Sequence, residues 1–104
     1  MKYAIKPYIA VENIDYQTLA SEIMNFSISE LEEIIGTMKR VLGKEVGSSS
    51  FSQNIVIVEY DSQKAIIKHF DENIGEERTI DFYTMLVEYA AILRGAKTNF
   101  NHPA

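Results

Sequence analysis

Polar and apolar residues follow the two-residue period of a strand at three places in this chain and the helical period at three others. Between residues 3 and 11, Tyr3, Ile5, Pro7, Ile9 and Val11 share one parity, and Ala4, Lys6, Tyr8 and Ala10 share the other. This predicts a strand that Pro7, lacking a ladder donor, confines to a sheet edge or interrupts. Tyr16, Leu19, Ala20, Ile23 and Met24 then recur at i, i+3, i+4, i+7 and i+8, a short amphipathic helix with Asp15 as N-cap and an end near Asn25. The run Ser27-Ile28-Ser29-Glu30 has the form of a capping box, in which the two side chains satisfy orphan backbone donors reciprocally. It opens a second helix with the stripe Leu31, Ile34, Ile35, Met38, Val41 and Leu42. Acids fill its first turns and Lys39, Arg40 and Lys44 its last, in accord with the macrodipole, and Gly43 or Gly47 is placed to supply a left-handed C-terminal cap.

Residues 54–61 and 64–71 are β-branched and aromatic runs separated by Ser62-Gln63, and they predict a hairpin. A short loop pairs Tyr60 with Ala65, Val58 with Ile67 and Val56 with His69 on a core face. It leaves Glu59, Ile57, Ile55, Ile66, Lys68 and Phe70 on a mixed face. After a polar loop, Thr79 caps a third helix in which Phe82, Met85, Leu86, Tyr89, Ile92 and Leu93 form a stripe closed by Gly95. Gly47 to Ser50 reads as a linker between a helical half and a strand half. The order predicts one α+β domain over residues 1–104: a small antiparallel sheet of about three strands with three helices packed on it, and a fraying tail at 97–104.

At 46% hydrophobic and 24% charged residues, the composition excludes a disordered or fibrous chain. With no cysteine there is no disulfide framework and no thiolate chemistry, and no run approaches the length of a membrane span. A cytoplasmic protein without membrane association is the expectation. Fifteen acidic against ten basic residues give a net charge of −5, which disfavours nucleic acid and suits a basic protein partner.

Motifs for chemistry are sparse. His69 has Asp71 two residues along, but a base needs a substrate or nucleophile within reach as well, and a strand histidine beside an acid is most often structural. The three serines 48–50 lack the strand-turn-helix context of a nucleophile elbow, and no phosphate-cradling glycine loop is present. The segment from Asp71 to Glu77 has oxygen ligands at alternating positions. It puts Glu76 where a calcium loop needs its glycine and Phe82 where it needs its bidentate glutamate, so neither a metal nor another cofactor is expected. A catalytic role is not expected either. The acidic excess is concentrated: Asp71, Glu72, Glu76, Glu77 and Asp81 against Arg78 alone leave −4 over eleven residues. Part of that reflects acids gathering at a helix start. The other reading is a docking patch that steers a basic partner, with Tyr60 and Phe70 beside it as apolar anchors.

A small, cysteine-free, acidic chain in which residues 54–61 and 64–94 run from a hairpin through an acidic segment into an apolar helix resembles the immunity proteins of bacterial toxin systems. Those of contact-dependent growth inhibition and related polymorphic toxins are among them. The resemblance implies one-to-one inhibition of a cognate toxin, often a nuclease whose basic cleft acidic residues cover. The partner-binding residues it implies are Glu72, Glu76, Glu77 and Asp81, then Asp71, Glu59 and Asp61, with Tyr60 and Phe70 as anchors. The alternative is a homo-oligomeric structural or adaptor protein, a homodimer in its simplest form, joined through the last helix and the mixed hairpin face.

Overall fold

Two antiparallel sheets and three α-helices build an α+β fold, seen in a computed structural model that describes residues 1–100, with side chains placed through residue 95. The first expected strand is two: β1 (Tyr3–Ile5) and β2 (Ile9–Val11) pair with each other, Tyr3 opposite Val11 and Ile5 opposite Ile9, and the chain reverses around a cis Lys6-Pro7 bond. They form a separate two-stranded sheet. A single 3-10 turn (Ile14–Tyr16) follows and leads into α1 (Gln17–Met24). Asn13 caps the 3-10 turn, its side chain accepting from the Asp15 amide, and Tyr16 occupies the N-cap position of α1, so Asp15 is not the N-cap.

Helix α2 (Ile28–Leu42) begins at the capping box, with the Glu30 amide donating to Ser27 Oγ and the Ser27 amide to Glu30 Oε1. At its other end Gly43 stays at negative φ, and Lys44, at φ 63°, takes the left-handed position. The next segment corrects the linker and three-strand expectations. Strand β3 (Ser48–Ser52) is the first of four in the main sheet, followed by β4 (Val56–Asp61), β5 (Lys64–His69) and β6 (Glu72–Arg78) in the order β3-β4-β5-β6. The β4–β5 register is the one the alternation predicts, Val56 opposite His69, Val58 opposite Ile67 and Tyr60 opposite Ala65. Asp61 shapes the turn, accepting from the Gln63 and Lys64 amides.

The segment 72–78 is a strand rather than a polar loop because a bulge and two contacts with Tyr16 offset its poor composition. Ile74 is extra in the ladder, since Ile67 faces Gly75 and Lys68 faces Asn73, and this bulge turns Gly75 inward. The Tyr16 ring lies on Gly75 so closely that a Cβ there would stand 2.6 Å from two ring carbons. Beyond it, the Tyr16 hydroxyl donates to Glu77 Oε2 at 2.7 Å. Helix α3 (Thr79–Phe100) starts at Thr79, which is buried and donates its hydroxyl to the Asp61 carbonyl at 2.8 Å. It continues past Gly95, where the sequence predicts a stop; the expected fraying of 97–104 falls partly on residues 101–104, outside those described.

One core joins these elements. Leu19 and Ile23 of α1, Leu31, Met38 and Val41 of α2, and Phe82, Met85, Leu86 and Tyr89 of α3 pack with Val56, Val58, Tyr60, Ala65 and Ile67 of the sheet. Phe51 links the layers, with ring centroids 6.1 Å from Phe26, 6.5 Å from Tyr60 and 5.9 Å from Phe82. The buried residues of β4 (Val56, Val58, Tyr60) and β5 (Ala65, Ile67) alternate along their strands and meet across the register, so the helices cover one face of the main sheet and leave the other open. Among the described residues no helix is long and apolar enough to cross a membrane.

Candidate functional site

Cross-strand pairing decides what the open sheet face presents. One row runs Ser50, Glu59, Ile66, Glu76 and the next Ser52, Ile57, Lys68, Asn73. Lys68 Nζ lies 2.6 Å from Glu59 Oε1, and Lys64 Nζ lies 3.6 Å from Glu76 Oε1. Glu59, by accepting from Lys68 and by its charge, holds the Lys68 ammonium above its usual pKa. Asp81 is also engaged, 4.0 Å from the Arg78 guanidinium. Three of the residues expected to face a basic partner therefore already face a base of this chain. Asp61 is committed to its turn, where the Lys64 and Gln63 amides lower its carboxyl pKa.

Two further expected residues face inward. Tyr60 is only 4% exposed and packs against Phe51, so it is a core residue and not an exposed anchor. Its phenol pKa is raised by that burial. Glu77 lies opposite the buried Ala65, holding the Tyr16 hydroxyl on one oxygen and the Met1 amino group, 2.7 Å away, on the other. Both corrections have one cause: on a strand, alternate residues belong to the core face whatever their polarity.

What stays together and exposed is the tip of the β5–β6 hairpin. His69 pairs with Glu72 across a two-residue turn, Phe70-Asp71. Both turn residues are left-handed, φ 51° at Phe70 and 67° at Asp71. This is the backbone of a type I′ turn, which normally takes Asn and Gly. The Phe70 amide donates to the Ile55 carbonyl at 3.2 Å, tying the tip to the strand beside it. Phe70 is 71% exposed, an aromatic ring standing in solvent and followed in the chain by Asp71 and Glu72. Neither acid joins an ion pair among the described residues. A bulky side chain in the left-handed region costs roughly 1–2 kcal/mol, and such strain concentrates at functional surfaces.

Asp71 sits in the turn and not on the strand, and no hydrogen bond joins it to His69 among the described residues. The His69 ring lies 4.9 Å from that of Phe70, with a buried Nε2 that has no hydrogen-bond partner among the described residues. No group of three His, Cys, Asp or Glu side chains suited to a metal occurs among the described residues.

One structurally decisive acid carries no mark in the sequence. Glu22, 7% exposed on α1, accepts from the Asn54, Ile55 and Val56 amides at 2.9, 3.1 and 3.2 Å, fastening α1 to the start of β4. Its place on the polar side of the α1 pattern gives it no distinction, because the signal is a partner 32 residues away. Compared with known proteins, the chain matches no family model, no curated protein and no solved structure.

Proposed function

We propose that the protein is a non-catalytic binding module of the immunity type, which inhibits a basic cognate toxin by covering its active-site cleft. A nuclease is the class of toxin whose cleft an acidic surface fits. The observation that carries this reading is the β5–β6 tip, a solvent-exposed Phe70 held in a costly backbone conformation and followed by two acids that join no ion pair among the described residues. Interfaces draw most of their energy from a few aromatic anchors, and flanking charge steers the encounter. Phe70, Asp71 and Glu72 form the centre of the proposed contact. Glu59, Glu76 and Asp81 contribute only by exchanging their internal partners for the toxin's, while Asp61, Tyr60 and Glu77 serve the fold beneath. A cytoplasmic location, where an incoming toxin would meet its inhibitor, belongs to the same proposal.

The test is inhibition. A basic protein captured from the source cell and titrated with this chain should lose its activity at one-to-one stoichiometry. Asp71→Lys with Glu72→Lys should slow association and flatten its dependence on salt. A captured protein whose activity is untouched by saturating amounts of this chain contradicts the proposal.

A further inference from the structure

The two edges of the main sheet differ in protection. On β6 a bulge, four charged side chains and the Tyr16 ring obstruct the ladder. On β3 the sequence Ser48-Ser49-Ser50-Phe51-Ser52 has no charge, no proline and no bulge, and the strand pairs with β4 alone. An edge of this kind is a template for another strand.

The helix beside that edge shows what strand it suits. A groove between α2 and β3 is lined by Glu30, Glu33 and Thr37 from the helix and by Ser50 and the half-buried Phe51 from the strand. Helical spacing continues that stripe to Arg40, so within α2 it reads acid, acid, threonine, base. Glu33 and Arg40 are exposed and join no ion pair among the described residues. Read in the opposite direction, the exposed part of the stripe is its own electrostatic complement: Glu33 meets Arg40, and Thr37 lies near the centre, while Glu30 stays with its capping box.

We propose that the protein is a two-fold homodimer joined by antiparallel pairing of β3 with β3 of a second copy. The four-stranded sheet becomes eight-stranded, centred on Ser50. A two-fold axis perpendicular to a sheet that reverses the strand also reverses any helix lying on the same face. Ser50 and Thr37 line one groove, so a single axis through it satisfies both self-complementary patterns. The neutral edge brings no like charges together, and the paired helices cover Phe51. Because β3 and the β5–β6 tip lie at different borders of the sheet, the dimer leaves the proposed toxin-binding tip free. The inference does not depend on that reading.

Sedimentation equilibrium on the full chain across micromolar concentrations tests it. Arg40→Glu, at an exposed position, sets two like-charged pairs across the axis and should raise the dimer dissociation constant about tenfold or more, with the circular dichroism spectrum unchanged. Combining Arg40→Glu with Glu33→Arg restores opposite charges and should restore the dimer. Hydrogen exchange of the β3 amides should slow as concentration rises into the dimer range. A monomer at every concentration, or a dimer whose constant ignores both the reversal and the swap, overturns the proposal.

Discussion

Replacing Phe70 by Asn and Asp71 by Gly supplies the residues that a type I′ turn prefers, at two positions now held at φ 51° and 67° by side chains that dislike them. Relief at Phe70 is worth about 1–2 kcal/mol, and Asp71, a residue that tolerates the left-handed region, adds a few tenths. Against this stands the loss of the Phe70 contact with His69, whose ring centroid is 4.9 Å away. An aromatic pair contributes about 0.5–1.5 kcal/mol, the lower end applying to a ring as exposed as Phe70. The net expectation is a gain of about 1 kcal/mol, equivalent to a rise in Tm of roughly 4–8 °C. Thermal unfolding followed by circular dichroism measures it directly. If Phe70 is retained for contact, the same double variant should bind its partner far more weakly while being more stable. An unchanged or lowered Tm would refute the claim that the tip holds strain.

Three further outcomes follow from the contacts. Glu22→Ala strands three amide donors, of which that of Val56 is buried beyond reach of water, and should cost about 3 kcal/mol; Glu22→Gln keeps an acceptor oxygen and should cost about 1 kcal/mol by chemical denaturation. Equal costs for the two would mean the carboxylate is not the fastener. Gly75→Ala should cost about 1–3 kcal/mol by overpacking against Tyr16, and much less in a Tyr16→Leu background; additive effects in that double-mutant cycle would remove the Tyr16–Gly75 contact from the account. Asp61 and Glu30 both titrate below their ordinary values of 3.8 and 4.5, because backbone amides bond the ionised forms. Their contribution is therefore present above those values and lost as pH falls through the lowered ones. Asp61→Asn should flatten the acid limb of a Tm-against-pH curve, and an unchanged slope would contradict this.

The elements legible in the sequence are those whose information is local. Alternation in residues 56–60 and 65–69 suffices for the β4–β5 register, and Ser27 and Glu30 announce the start of α2 within one turn. Strands β3 and β6 are illegible because serines, glycine and clustered acids carry little strand propensity; pairing with β4 and β5 imposes their extended form. The candidate site fails along the same line. A count of charges along residues 71–81 shows a patch, but cross-strand neighbours decide which charges are spent, and Glu76 finds Lys64 while Glu77 turns under Tyr16. Tyr60 shows that the register contained its own correction: opposite Ala65 it had to face the core. Phe70 remains as an anchor because a turn takes its residues out of the alternation.

The central claim, that the β5–β6 tip is the contact surface for a basic protein partner, is tested most directly by parallel affinity capture from the source cell. The unaltered chain and the Phe70→Asn, Asp71→Gly variant serve as baits, each at low and moderate salt. The account predicts that one basic protein is recovered one-to-one on the unaltered chain, less of it at moderate salt, and little on a variant shown to be folded and more stable. Equal recovery of that protein on both baits, or recovery of only the chain's own copies, would contradict it.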